Sequence, residues 1–304
     1  MTTTTVRRRA ARARGTSATR SGGVAGAPRT TRSRRRPASR SFVHRVGRRG
    51  LHFDIAPGDR TRVPLLVFNG IGAPLQLLQT FVDRLDPSIE VIRVDPPGVG
   101  RSPGARGPYR MGRLARMIDQ ALAELGYDQV DVLGISWGGA LAQQFAWTAG
   151  ARCRRVVLIA TGAGYPMSSV SPSAMKRLAD VKANRGKGVL GTLAGEMYGG
   201  QARRNPRAGA HVLRVQMLSV RPFGWSYQMF AGLGWTSAWF LPMLRQPTLI
   251  LAGTEDPVVP PYNGRVVSAL ARHGELHVYS GGHVDLLVDP KELLPQIESF
   301  LARR

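Results

Sequence analysis

The sequence predicts an α/β protein: a mostly parallel, doubly wound sheet with a helical insertion. Three observations predict it. Short, continuously apolar runs recur along the chain, as expected of strands buried on both faces. Amphipathic segments of helical period lie between them, and such alternation implies parallel strands joined by crossover helices. The alternation stops at about Gly162 and resumes at Pro247.

The first 40 residues belong to no such pattern. They are Arg, Thr, Ser, Ala and Gly with almost no large apolar side chain, too little to offset the entropy of ordering, so a disordered basic tail is expected there. One domain, 41–304, is expected to follow. The formal net charge of +24 suggests a nucleic-acid binder at first sight. However, 15 Arg and no acidic residue fall within residues 1–50, so most of the excess sits in this N-terminal stretch. The remainder shows no folded nucleic-acid-binding motif, and no nucleic-acid partner is expected. No apolar stretch follows the Arg runs to make a secretory signal. No apolar run is long enough to span a bilayer. The single cysteine, Cys153, allows neither a disulfide framework nor a Cys-based metal site within the chain. A cytoplasmic protein is expected.

Strands are then expected at Leu51–Ile55, Leu65–Phe68, Ile89–Val94, Val130–Ile135, Val156–Ala160, Thr248–Ala252 and Leu276–Tyr279. Leu77, Leu78, Phe81, Val82 and Leu85 form one helical stripe, and Leu114, Ile118, Ala121, Leu122 and Leu125 another. A closing helix is expected over roughly Pro290–Leu301. The insertion, about 163–246, is rich in Gly, Pro, Met and aromatic residues, and its place predicts a lid over a site at the strand ends.

The chemistry begins at Gly134-Ile135-Ser136-Trp137-Gly138. This G-x-S-x-G pattern closes one apolar run and opens a helical stretch, the strand–turn–helix context of a nucleophile elbow. Ser136 is the candidate nucleophile. A serine hydroxyl needs a base, and in such folds the acid and the histidine follow the serine in that order. Of six histidines, His44 and His52 come too early and His211 lies in the insertion. His273 and His277 fall at a helix end and within a strand. His283 sits in the loop Gly281-Gly282-His283 after the last strand and is the candidate base. The acid is expected after Thr248–Ala252. Asp256, held extended by Pro257, is preferred there over Glu255, and both over Asp285, which is only two residues from the histidine. Asn69-Gly70-Ile71-Gly72 follows the second strand, so the N–H groups of Ile71 and Trp137 are the candidate oxyanion hole. The glycine-rich turn Asp95–Ser102 fails the dinucleotide pattern at Pro103 and is read as structural; no cofactor and no metal are expected.

A sharper resemblance rests on particular stretches. They are Asn69-Gly-Ile-Gly72, Asp95 through Gly100, Gly134 through Ala146, Tyr198-Gly-Gly200, Phe230-Ala-Gly-Leu-Gly-Trp-Thr-Ser237 and Gln246 through Gly253. Together they resemble the intracellular poly(3-hydroxyalkanoate) depolymerases of the α/β-hydrolase superfamily, those acting on medium-chain-length polyesters in particular. The resemblance covers roughly residues 50–300, lid included; the tail has no counterpart. It implies hydrolysis of a stored polyester, with nucleophile, acid and base on Ser136, Asp256 and His283. Where the family often has a string of Asp before the proline, this chain has Thr254-Glu255-Asp256. A hydrophobic polyester and the surface of its storage granule become the expected partners, with Phe230, Trp235 and Trp239 as lid residues that could meet the substrate. A generic carboxylesterase, a serine-dependent C–C bond hydrolase and a non-enzymatic granule-coating protein are the alternatives.

Overall fold

The computed structural model describes residues 36–59, 61–105, 107–165 and 189–303. Eight strands form one sheet: β1 Arg40–Val46, β2 Arg49–Ala56, β3 Leu65–Phe68, β4 Val91–Asp95, β5 Val130–Ile135, β6 Cys153–Ile159, β7 Thr248–Gly253 and β8 Gly274–Tyr279. Their spatial order is β1-β2-β4-β3-β5-β6-β7-β8. β1 and β2 are antiparallel to their neighbours, and β3 to β8 are parallel.

The parallel strands alternate their apolar side chains between two cores. Leu65, Val67, Leu133, Val157 and Leu249 face one core, which the helices α1 (Gln79–Arg84), α9 (Asp285–Val288) and α10 (Leu294–Ala302) complete. Leu66, Phe68, Val132, Leu158 and Ile250 face the other, closed by α2 (Met111–Glu124), α3 (Trp137–Ala149) and α8 (Pro261–Leu270). Each such side chain contributes roughly 1.5–3 kcal/mol on full burial, so two complete faces explain why the strands read as unbroken apolar runs. The described part of the insertion holds α4 (Val189–Tyr198), α5 (Gly200–Arg204), α6 (Pro206–Leu218) and α7 (Gly224–Gly232).

One expectation is corrected. An eighth strand, β1, precedes those anticipated and pairs along its whole length with β2. It escapes sequence reasoning because it is an edge strand whose exposed positions continue the Arg and Ser composition of the preceding residues. Ahead of this strand, Arg36 is engaged with the domain. Its guanidinium donates to the carbonyls of Asp86 at 2.7 Å and Ile89 at 2.6 Å. The rest of the expected tail, 1–35, and lid residues 166–188 lie outside the described residues.

Candidate active site

β5 ends at Ile135, and the chain turns into α3 through Ser136, whose φ of 54° and ψ of −119° are costly for a residue with a Cβ, by roughly 1–3 kcal/mol. Neighbouring bonds hold it there. Ser136 N–H donates to Ile159 O at 2.9 Å, and its carbonyl accepts from Gly139 N–H and from the Thr161 hydroxyl, both at 2.8 Å. The two glycines of the motif are required by packing. A Cβ at Gly134 would lie 2.3 Å from Gly138 O, and one at Gly138 would lie 2.3 Å from Phe68 O. The elbow therefore fits between β3 and β5 only with both side chains missing.

The ends of β7 and β8 bring the other two residues to Ser136. His283 Nε2 lies 3.0 Å from Ser136 Oγ, and its Nδ1 lies 2.8 Å from Asp256 Oδ2. The hydroxyl donates to Nε2 and Nδ1–H to the carboxylate, one tautomer serving both bonds. Asp256 is buried, and its second oxygen accepts from Val258 N–H at 2.8 Å and Val259 N–H at 2.9 Å. The bonds from Val258 and Val259 fix the orientation of the carboxylate. Glu255 points elsewhere, to Arg204 and Ser280. Asp285 has another task. Its buried carboxylate accepts from Gln201 N–H at 2.8 Å and Gly282 N–H at 3.0 Å, tying α5 to the His283 loop, and burial pushes its pKa upward.

The lid reaches His283 directly. His283 N–H donates to Tyr198 O at 2.7 Å, and the Tyr198 ring lies nearly parallel to the imidazole, 6.2 Å between centroids. Burial raises the Tyr198 phenol above its ordinary range, so it remains protonated. The pair Gly199-Gly200 lets this turn approach. A Cβ on Gly200 would stand 2.1 Å from Gly282 N.

The loop after β3 presents one unused donor. Gly70 N–H is bound to Asn69 Oδ1, Gly72 N–H to Gln228 Oε1, Ala73 N–H to Gly70 O and Leu75 N–H to Asp95 Oδ1. Pro74 has no N–H. Ile71 N–H makes no hydrogen bond among the described residues, and neither does Trp137 N–H, the first amide of α3. Trp137 directly follows Ser136, and Gly70, next to Ile71, lies close to it: a Cβ on Gly70 would stand 3.7 Å from Ser136 Cβ.

A second Ser–His–Asp chain exists and makes a useful contrast. His52 Nδ1 lies 2.9 Å from Asp95 Oδ2, and Ser41 Oγ lies 2.8 Å from His52 Nε2. Ser41 sits on a regular edge strand, not on an elbow at a helix N-terminus, so the set ties the β1–β2 hairpin to β4. The glycine-rich turn Asp95–Ser102 uses its own N–H groups. Gly98 donates to Pro103 O, Gly100 to Ser219 O, Arg101 to Asp95 and Ser102 to Val99 O, so the turn docks the lid. Among the described residues, no cluster of His, Cys, Asp and Glu could hold a metal, and no helix is long and apolar enough to cross a membrane.

The three lid aromatics occupy different settings. Trp235 donates its indole N–H to Gln144 on α3 at 2.9 Å. Phe230 lies beneath the Arg110 guanidinium, 4.4 Å from its ring centre. Trp239 is exposed and meets Trp147 and Phe240 edge-on. Sequence reasoning missed two lid glutamines, Gln216 and Gln228, which touch the Ile71–Gly72 segment. Glutamine carries no motif, and no local signal marks either one.

Comparison with known proteins agrees with this architecture. A family model described as the alpha/beta hydrolase fold matches residues 63–290. A poly(3-hydroxyalkanoate) depolymerase from Ectopseudomonas oleovorans is 42% identical over 248 residues, covering 81% of this chain and 87% of that protein. Among solved structures, the esterase RhEst1 from Rhodococcus sp. ECU1013 superposes with a TM-score of 0.73 at 21% identity, covering 88% of this chain and 99% of that one. The enol-lactonase from Burkholderia xenovorans LB400 gives 0.73 at 21%, covering 86% of this chain and 100% of that one. At such identities the two structures speak for the fold.

Proposed function

The chain belongs to the alpha/beta-hydrolase family, and from that premise we propose that it hydrolyses the ester bonds of a poly(3-hydroxyalkanoate) with Ser136 as nucleophile. The observation that carries this reading is the continuous relay from Ser136 Oγ through His283 to Asp256, beside the unused N–H groups of Ile71 and Trp137.

In the proposed mechanism His283 Nε2 takes the Ser136 proton as Oγ attacks the ester carbonyl. Asp256 holds the imidazole in the required tautomer and stabilises the imidazolium. The two N–H groups receive the oxyanion, a contribution of roughly 2.7–4 kcal/mol per donor in known enzymes. The leaving alcohol, the hydroxyl end of the released chain, takes the proton from Nε2. Water, deprotonated by the same imidazole, then cleaves the acyl-serine to a free acid.

The 42% identity to the Ectopseudomonas oleovorans protein, lid included, supports a polyester over a simple ester. A medium-chain-length side chain is the finer part of the proposal, supported by the apolar lid. The proposed place of action is the cytoplasm, at the surface of the storage granule.

The test has two arms. Ser136→Ala is expected to lose several orders of magnitude in turnover while remaining folded, with loss of fluorophosphonate labelling. A series of 3-hydroxyacyl esters differing in side-chain length is expected to show kcat/KM rising by up to about 1 kcal/mol per methylene at best, until the pocket is filled. Unchanged turnover in folded Ser136→Ala overturns the nucleophile. A flat series, or a preference for the shortest member, overturns the medium-chain assignment and points to a generic esterase.

A further inference from the structure

The oxyanion donors lie on two separate elements, and the groups that hold them in place come from the lid. The peptide unit joining Ile71 to Gly72 is gripped at both polar ends. Its N–H, that of Gly72, donates to Gln228 Oε1 at 2.8 Å, and its C=O, that of Ile71, accepts from Gln216 Nε2 at 3.2 Å. The two glutamines come from different lid helices, α7 and α6. Gln228 also accepts the Trp137 indole N–H on its own carbonyl at 2.9 Å, so one lid residue is bonded next to both oxyanion donors. The amide orientation of Gln228 follows from chemistry. A backbone N–H can only donate, so the group facing Gly72 must be the oxygen.

This grip has a mechanical meaning. A peptide unit is planar, so fixing its two polar ends fixes the ψ of Ile71 and the φ of Gly72 together. Gly72 has a φ of +68°, and a glycine there leaves the plane free to rotate if released. The preceding unit is held through Gly70 O, which accepts from Ala73 N–H at 3.1 Å, while Ile71 N–H makes no hydrogen bond among the described residues. Rotation of the Ile71–Gly72 plane would turn a carbonyl oxygen toward the space where negative charge develops. Gln228 is fully buried, yet its Nε2 makes no hydrogen bond among the described residues. A buried amide with an orphan donor costs stability, so Gln228 is not accounted for by folding alone.

We propose that Gln228 and Gln216 are positioning residues for the oxyanion hole: by clamping the Ile71–Gly72 peptide from the lid, they make transition-state stabilisation depend on a seated lid. Gln216 extends the arrangement, since its Oε1 accepts the Tyr198 hydroxyl, and Tyr198 stacks on His283. The inference rests on the serine-esterase reading above.

The test uses the full chain and a soluble ester. Gln228→Met and Gln216→Met keep length and helix propensity but remove the polar ends. Each is expected to lower kcat by roughly 10- to 100-fold with KM within about threefold, because the lost interaction acts on the transition state. Affinity for a trifluoromethyl ketone that forms a tetrahedral adduct on the serine is expected to fall by the same factor as kcat/KM. The double variant is expected to be little worse than the weaker single one, since both clamp one peptide. The pH profile of Gln228→Met is expected to match that of the wild type, because the base is untouched. Wild-type kcat in either folded variant, or a fall in kcat without a matching fall in adduct affinity, overturns the clamp. Gln216 is partly exposed and its replacement spares the core, so Gln216→Met decides the matter if Gln228→Met does not fold. Failure of the underlying reading looks different: Ser136→Ala would then keep wild-type activity, whatever the glutamine variants do.

Discussion

At the scale of single residues, two neighbouring acids show how little separates a proposed catalytic role from a surface one. Asp256 has both oxygens in use, one on His283 and the other on two backbone N–H groups, whereas Glu255 binds Arg204 at the rim. Asp256→Asn is expected to lower kcat by three to four orders of magnitude, roughly, because an amide cannot favour the same histidine tautomer or its cation. Glu255→Gln removes only a part-exposed ion pair, worth about 1 kcal/mol or less, and is expected to leave kcat within about twofold. Steady-state kinetics on one soluble ester check both, and a larger loss for Glu255→Gln would reverse the assignment. The preference for Asp256 was legible from Pro257 and from strand order. The glutamine clamp was not, because it depends on which lid helix crosses the Asn69–Gly72 loop, a purely tertiary fact.

At the scale of elements, most parallel strands were legible because burial on both faces leaves unbroken apolar runs; β3 and β5 begin and end where expected. β1 was not legible, since only alternate positions are covered and Arg40, Ser41, Val43 and Arg45 stay exposed. The lid illustrates a third case. Its presence showed in the break of alternation, but its attachment did not. That attachment explains two of the stretches that carry the family resemblance, Gly134–Ala146 and Phe230–Ser237, at once. Gln143 on α3 is buried, donates to Gly139 O and Gly162 O, each at 3.1 Å, and accepts the Ser237 hydroxyl at 2.6 Å, while the next residue, Gln144, takes the Trp235 indole. The Gln-Gln of α3 and the Trp-Thr-Ser of the returning lid are two halves of one joint. Ser237→Ala leaves the buried Gln143 oxygen without its hydroxyl, so stability is expected to fall by about 1–3 kcal/mol. Urea denaturation measures the loss, and hydrogen exchange is expected to localise faster opening to the lid return. A change below about 0.5 kcal/mol would mean that the joint is held by packing alone.

At the scale of the whole molecule, the question is how a folded enzyme meets an insoluble polymer, and two surfaces compete. The first is the Arg-rich segment 1–35, which accounts for much of the net charge. The second is the lid. Of thirteen large apolar side chains exposed on the described residues, nine lie between Tyr165 and Met243, Leu218, Tyr165, Phe223 and Leu233 being the most exposed. Surface of this kind is commonly functional, and a polyester offers apolar area and no fixed negative charge along its chain. Charge attraction is screened at high salt, where the Debye length shrinks to about 3 Å at 1 M, whereas apolar burial is not. The proposed site therefore predicts that the lid, not the basic segment, carries adsorption. Removal of residues 1–35, which spares the Arg36 contacts to Asp86 and Ile89, is expected to leave both soluble-ester turnover and high-salt adsorption to polyester particles within about twofold. The double change Leu218→Ser and Phe223→Ser is expected to leave soluble-ester turnover unchanged. Its adsorption should fall by tenfold or more, since burying each such side chain is worth on the order of 1.5–3 kcal/mol. A sedimentation assay with washed particles at low and high salt reads the difference. Adsorption lost on truncation and kept in the lid variant would assign the contact to charge, and the lid would then serve the reaction centre alone.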